Sequence, residues 1–199
     1  MQVDTCINIW GVPKRIDEDD LFQTTVAVFA ECGYRATKTQ EIAARAGINE
    51  ATLFRRYGAK AALINTALTH VLADSSFASV AISDDVTADL TALVRSYIET
   101  AQRYGGAVVT LLAEIPRNPE LREAITALMP NLVNAANVIA AHQDNGRLAP
   151  GDPLHKLVAL IGPLLVFGLW ARTGAAPAVP DIDAGRVVAE FLDGHRALG

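Results

Sequence analysis

Apolar positions recur every three or four residues along most of this chain, the period of helices that bury one face. Residues 16–21, Ile-Asp-Glu-Asp-Asp-Leu, predict a helix start. Asp17 caps the free amides, the acids occupy the positive first turn, and Ile16 staples onto Leu21. Leu21, Phe22, Val26, Phe29 and Ala30 then share one face, and Gly33 supplies a stop. Thr37 with Gln40 reads as a capping pair opening a short helix that buries Ile42 and Ala46. Gly47 gives a tight turn, and Asn49 caps a third helix. That helix turns Leu53 and Tyr57 inward and leaves Glu50, Ala51, Thr52, Arg55 and Arg56 facing out.

Beyond Lys60 the helical pattern continues over 61–79, 86–104, 107–115, 120–145, 153–173 and 182–198. Turn chemistry separates these stretches, notably Gly105-Gly106 and the segments 116–119, 144–152 and 174–180. No alternating strand pattern of convincing length occurs, so the expected fold is all-α, with about nine helices and no repeat period. The first fifteen residues lack periodicity. The expected division is a loose arm over 1–15, a three-helix unit over 16–62 and a larger helical domain over 63–199.

A chain of 199 residues buries enough surface to fold without staples. Cys6 and Cys32 form neither a metal-ligand spacing nor a disulfide framework, which points to a reducing cytoplasm, with Cys32 as a small buried side chain. No basic stretch followed by an apolar region marks a secretory signal. The longest apolar run, 157–171, falls short of the roughly 20 residues of a bilayer span and contains Gly162, Pro163 and Gly168. It reads as a buried helix, with no membrane partner.

The net charge of −5 alone argues against nucleic acid, but its distribution argues otherwise. Arg35, Lys38, Arg45, Arg55, Arg56 and Lys60 crowd residues 34–60 against only Glu41 and Glu50, whereas acids outnumber bases from 61 onward. Local clustering of cations is the footprint of phosphate binding. Two short helices around a glycine turn, the second presenting small and cationic groups, match a helix-turn-helix. A helix entering a major groove about 12 Å wide needs small leading side chains, which Ala51 and Thr52 supply. Arg55 and Arg56 reach phosphates or guanine edges, Thr39 and Gln40 offer donors to a phosphate, and Phe54 meets a thymine methyl or sugar edge. Glu50 is the least comfortable member, since a carboxylate repels phosphate unless it accepts from a cytosine amine.

Thr39, Glu41-Ile42-Ala43, Ala46-Gly47-Ile48, Ala51-Thr52-Leu53-Phe54, Tyr57 and Lys60, preceded by Phe29 to Tyr34 (FAECGY), resemble the N-terminal signature of TetR-family transcriptional regulators. The resemblance covers residues 16–63. It implies a helical effector-binding and dimerisation domain, and a homodimer that occupies a double-stranded DNA operator and leaves it when a small-molecule ligand binds. Position by position, it implies DNA contacts from Thr39, Gln40, Glu50, Ala51, Thr52, Phe54, Arg56 and Lys60; Arg55 is added from its charge. Phe54 stands where the family usually has tyrosine, and Gly58-Ala59 where a polar cap is common.

The run 157–171 is apolar all round, so one side meets its own bundle and the other side something else. A partner subunit is the economical answer, with Leu157, Leu160, Leu164, Gly168, Val188 and Phe191 as the expected interface. Pro130 and Pro163 interrupt helical patterns and leave room between helices for a largely apolar effector. Tyr97, Glu114, Asn134, Asn137, His142 and Trp170 are the candidate ligand contacts. The isolated histidines form no catalytic or metal motif, so neither an enzyme, a metal site nor a cofactor is expected. The remaining rival is a helical small-molecule-binding protein that does not touch DNA; the cationic helix carrying Thr52, Arg55 and Arg56 separates the two.

Overall fold

The structure, a computed structural model, describes residues 17–73, 77, 80–173 and 182–195. Among them the chain forms eight α-helices: α1 (Glu18–Ala36), α2 (Thr39–Arg45), α3 (Glu50–Tyr57), α4 (Lys60–Ala73), α5 (Val86–Glu114), α6 (Arg122–Asp144), α7 (Pro153–Thr173) and α8 (Ala184–His195). A 3-10 turn at Pro119–Leu121 precedes α6. The all-α expectation holds, with eight helices rather than nine because 86–104 and 107–115 are one helix. Gly105 and Gly106 weaken a helix without ending it when the residues around them, Tyr104, Ala107 and Leu111, are buried.

α1 begins as expected, with the Asp17 carboxylate accepting from the amides of Asp19 and Asp20. Ile16, the other half of the expected staple, lies outside the described residues, as does the arm 1–15. At Gly33 the backbone leaves helical space with φ 73, and a Cβ there would meet Glu114 Oε1 at 2.9 Å. Glycine is needed at this bend both for its backbone angle and for clearance. The Thr37–Gln40 capping pair does not form: Thr37 Oγ1 turns back to the carbonyl of Gly33 at 2.6 Å, and α2 starts at Thr39 without a side-chain cap. Cys32 is exposed rather than buried. It lies on the turn of α1 that breaks at Gly33.

Two apolar cores form. The first joins Leu21, Phe22 and Phe29 of α1 with Ile42, Leu53 and the inner face of α4, and recruits Tyr104, Ala107 and Leu111 from α5. The second joins Leu90, Leu93 and Val94 of α5 with Val138 and Ile139 of α6, Leu157, Leu160 and Leu164 of α7, and Val188, Phe191 and Leu192 of α8. α5 therefore belongs to both cores. The expected division after residue 62 falls within α4, whose buried residues from Leu63 to Leu72 belong to the first core. Polar ties cross the same seam: Gln23 Nε2 donates to Tyr104 Oη at 2.9 Å, and Asn65 Nδ2 to the carbonyl of Glu120 at 2.8 Å.

A buried polar clasp fixes the entry to α5. Asp89 accepts from the amide and hydroxyl of Ser83, each at 2.7 Å, and pairs with His142 Nε2 at 2.9 Å; His142 is 0% exposed. Burial pushes the Asp89 carboxyl upward in pKa, but the Ser83 amide and hydroxyl and the His142 imidazole together hold it below its ordinary value. A carboxyl whose pKa is lower folded than unfolded stabilises the fold above its unfolded pKa of about 3.9, and that contribution disappears as pH falls through the folded pKa. Asp89→Asn is therefore expected to cost about 1–3 kcal/mol at neutral pH. It should also flatten the acid limb of stability in urea titrations below about pH 5.

Candidate nucleic-acid interface and effector chamber

The turn between α2 and α3 is built from main-chain chemistry. Gly47 takes φ 65, its amide donates to the Ala44 carbonyl, and the Ile48 amide donates to that of Ala43 at 3.0 Å. This pairing satisfies the last carbonyls of α2, while Ile48 packs against the first core. Asn49 Oδ1 accepts from the Ala51 amide at 2.8 Å and so starts α3. Leu53 anchors the inner face of α3 in the core, which leaves Ala51, Phe54, Arg55 and Arg56 exposed and Thr52 half-buried. Phe54 is 49% exposed, a large apolar ring with no core to enter.

The flanking candidates hold this head together. Thr39 Oγ1 donates to Glu50 Oε1 at 2.6 Å, tying the first residue of α2 to the first of α3. Glu50 thus has a local donor that fixes its orientation, while its charge remains. Gln40 is exposed. Arg56 pairs with Glu18 on α1, a partner that sequence spacing does not reveal. Among the described residues Arg55 makes no ion pair. Lys60 Nζ donates to the carbonyls of Tyr34 at 2.6 Å and Thr37 at 3.0 Å, closing the end of α1 from the start of α4. Burial lowers the pKa of that ammonium, opposed by the carboxylates of Glu114 and Glu120.

Between α4, α5, α6 and α7 lies a chamber of about 290 Å³. Leu72, Phe77, Val108, Leu112, Leu128, Met129, Leu132, Val158, Ile161 and Leu165 give it apolar walls, with Tyr97, Thr100 and Asn131 as the polar residues. Burial pushes the Tyr97 phenol up in pKa. Asn131 spends its amide on the Leu72 carbonyl at 2.8 Å, and Thr100 Oγ1 is buried with no hydrogen-bond partner. Met129 and Asn131 flank Pro130, and Gly162 and Leu165 lie beside Pro163, so the chamber adjoins both prolines.

Of the six expected ligand contacts only Tyr97 lines this chamber. Glu114 instead accepts from the Tyr34 amide at 3.2 Å and from Asn118 Nδ2 at 2.7 Å, bracing the bend of α1. His142 belongs to the buried Asp89 clasp. Asn134 and Asn137 point to solvent from the outer face of α6, and Trp170 is 55% exposed on α7, its ring edge-on to Phe167. Some of the missed wall residues carried one sequence signal: Leu128, Met129, Asn131 and Leu132 neighbour Pro130, and Ile161, Gly162 and Leu165 neighbour Pro163, whereas Leu72, Phe77, Val108 and Leu112 neighbour neither.

The expected interface residues also need correction. Leu157, Leu160, Leu164, Val188 and Phe191 are buried in the second core of the subunit itself, because the inner stripe of α7 packs on α5, α6 and α8. Gly168 is exposed. The outward apolar side of α7 includes Val166, Phe167, Leu169 and Trp170. The full helix, longer than the run 157–171, is long and apolar enough to cross a membrane by length and composition, as is the 119–144 segment.

The reading head resembles known DNA-binding regulators over its whole length. The family described as "Bacterial regulatory proteins, tetR family" matches residues 21–67, and "Tetracyclin repressor-like, C-terminal domain" matches residues 82–191. The HTH-type transcriptional regulator RutR of Escherichia coli O157:H7 is 26% identical over 170 residues, which span 82% of this chain and 76% of RutR. A TetR family transcription regulator from Marinobacter aquaeolei VT8 shares the fold with a TM-score of 0.70 at 17% identity, over 94% of this chain and 100% of that one. A TetR family transcriptional regulator from Pseudomonas syringae pv. tomato DC3000 does so with a TM-score of 0.68 at 20% identity, over 92% and 98%. The capped and exposed α3, the glycine turn before it and the helical domain behind it thus have one common explanation: the chain belongs to the TetR family of DNA-binding transcriptional regulators, a family without enzymatic activity.

Proposed function

We propose that the protein is a cytoplasmic homodimeric repressor that holds a palindromic operator and releases it when a small, largely apolar effector fills the chamber. The observation that carries the reading is α3, a helix pinned inward by Leu53 and presenting Ala51, Thr52, Phe54, Arg55 and Arg56 outward. Small residues at its leading turn let the helix approach base edges, with Gln40 and Thr39 at the flanking phosphate and the two arginines reaching further along the groove. Glu50 and Lys60 act by position, the first through Thr39 and the second through the end of α1. Two such heads read successive turns only when held about 34–36 Å apart, which calls for a second subunit.

The outward side of α7, with Val166, Phe167, Leu169 and Trp170, supports a dimer contact. So contiguous an apolar side on a water-facing helix is otherwise a liability. Signal transfer has a short route. Leu72 lines the chamber near the end of α4, whose first residue, Lys60, holds the end of α1 beside the reading head. Leu112 lines it from α5, two residues before Glu114, which braces the bend of α1. An effector releases DNA through this route only by favouring a helix arrangement in which the two heads are differently spaced.

Footprinting on DNA flanking the coding region is expected to protect an inverted repeat whose half-site centres lie about one helical turn, or a whole number of turns, apart. Absence of protection there would remove the palindromic, self-flanking operator. In sedimentation experiments the double variant Phe167→Glu, Trp170→Glu should convert dimer to monomer and abolish the footprint; an unchanged dimer moves the interface off α7. Arg55→Ala and Arg56→Ala should each lower the slope of log affinity against log salt by about 0.9, and an unchanged slope takes that arginine off the phosphates. Glu18→Gln, which frees Arg56, should instead strengthen operator binding by about two- to fivefold.

A further inference from the structure

We infer that the effector is an amphipathic monoanion: a hydrocarbon body in the chamber and a single carboxylate head on Arg172. The inference rests on the effector reading above and adds the chemistry of the ligand. Beside the main chamber lies a smaller cavity of about 150 Å³, and the two share Tyr97, Thr100, Val108 and Leu165 as walls. Polar groups are distributed unevenly across this pair. The walls that belong to the main chamber alone, such as Phe77, Leu128 and Ile161, are hydrocarbon save for Asn131, whose amide is spent on the Leu72 carbonyl. The shared wall includes Tyr97 and Thr100, whose buried hydroxyl has no hydrogen-bond partner, and the smaller cavity is also lined by the exposed Arg172, which the main chamber lacks.

Arg172 sits in the last turn of α7, where a cation suits the negative end of the helix. The dipole does not explain where its side chain goes. It lies against α5 at Gly106, so closely that an added Cβ would collide with the guanidinium. A glycine weakens a helix interior, and at 106 its missing side chain is what lets the cation rest at the mouth of the cavity. Neither cavity is lined by an aspartate or glutamate, and among the described residues no carboxylate pairs with Arg172. The cavity pair therefore offers one fork of guanidinium donors to an anion and no counter-charge to a cation. A multiply charged head would need more cations than this one. At about 30 Å³ per water-sized group, the main chamber takes a body of about ten heavy atoms.

The test is calorimetric titration of the full-length protein with straight-chain carboxylates from hexanoate to tetradecanoate, each alongside the alcohol of the same length. The expected result is an optimum near decanoate, which binds about tenfold tighter than decanol. Arg172→Gln should erase that preference while leaving decanol affinity within about twofold, and Arg172→Lys, which keeps the charge, should retain a severalfold preference. Equal affinity for acid and alcohol in the natural chain overturns the anionic head and leaves the apolar effector standing. An acid preference that survives Arg172→Gln overturns the placement of the head on Arg172 and with it this inference. Failure of both series to bind overturns the chamber as an effector site together with the inference built on it.

Discussion

The structure depends on α5 being buried at both ends in different company. Its start is locked by Leu90, Leu93 and Val94 in one core and by the Asp89 clasp, and its end by Ala107 and Leu111 in the other. A helix shared in this way cannot shift at one end without disturbing packing at the other, because interiors are dense and resist deformation. The reading head is fastened to that helix through a shared core, in which α1 packs along α4 and α5. Gln23 meets Tyr104, and Glu114 meets the amide of Tyr34 at the bend of α1. The head is therefore coupled to the bundle by broad apolar packing, to which these hydrogen bonds add direction.

Within the head, short-range chemistry does most of the work. Asp17, Gly47 and Asn49 each satisfy main-chain groups within a few residues, so α1, the turn and α3 follow from local patterns. That locality explains why these features were legible from the residues alone. Caps and glycine turns act over three to five positions, and apolar spacing identifies Leu21, Phe22, Phe29, Ile42 and Leu53 as inward-facing without knowledge of their partners.

What the sequence hid was long-range. Thr37 has the spacing of a cap with Gln40, but its hydroxyl found the carbonyl that Gly33 exposes by bending. Gly105-Gly106 looked like a break, yet packing on both sides carries the helix through. For α7 the residues chosen for an interface are mostly buried in the subunit's own core: an all-apolar helix has two faces, and pattern alone cannot say which is inside. Leu157 and Leu164 proved inward, Val166 and Trp170 outward. Among the candidate ligand contacts, Glu114 and His142 are polar because they brace the fold. The chamber is defined mainly by hydrocarbon side chains whose one sequence signature, on α6 and α7, is nearness to Pro130 and Pro163.

The ion pair between Glu18 and Arg56 has a consequence for how the protein searches a genome. Random duplex attracts a regulator through its uncommitted cations, and each one that releases counterions lengthens the stay at a worthless site. A guanidinium already matched by an acid on α1 contributes little to such wandering contacts. On the proposed reading, in which Arg56 meets operator phosphate, a well-fitted site outbids the acid more readily than random duplex does, and the acidic neighbour shortens dwell on irrelevant sequence.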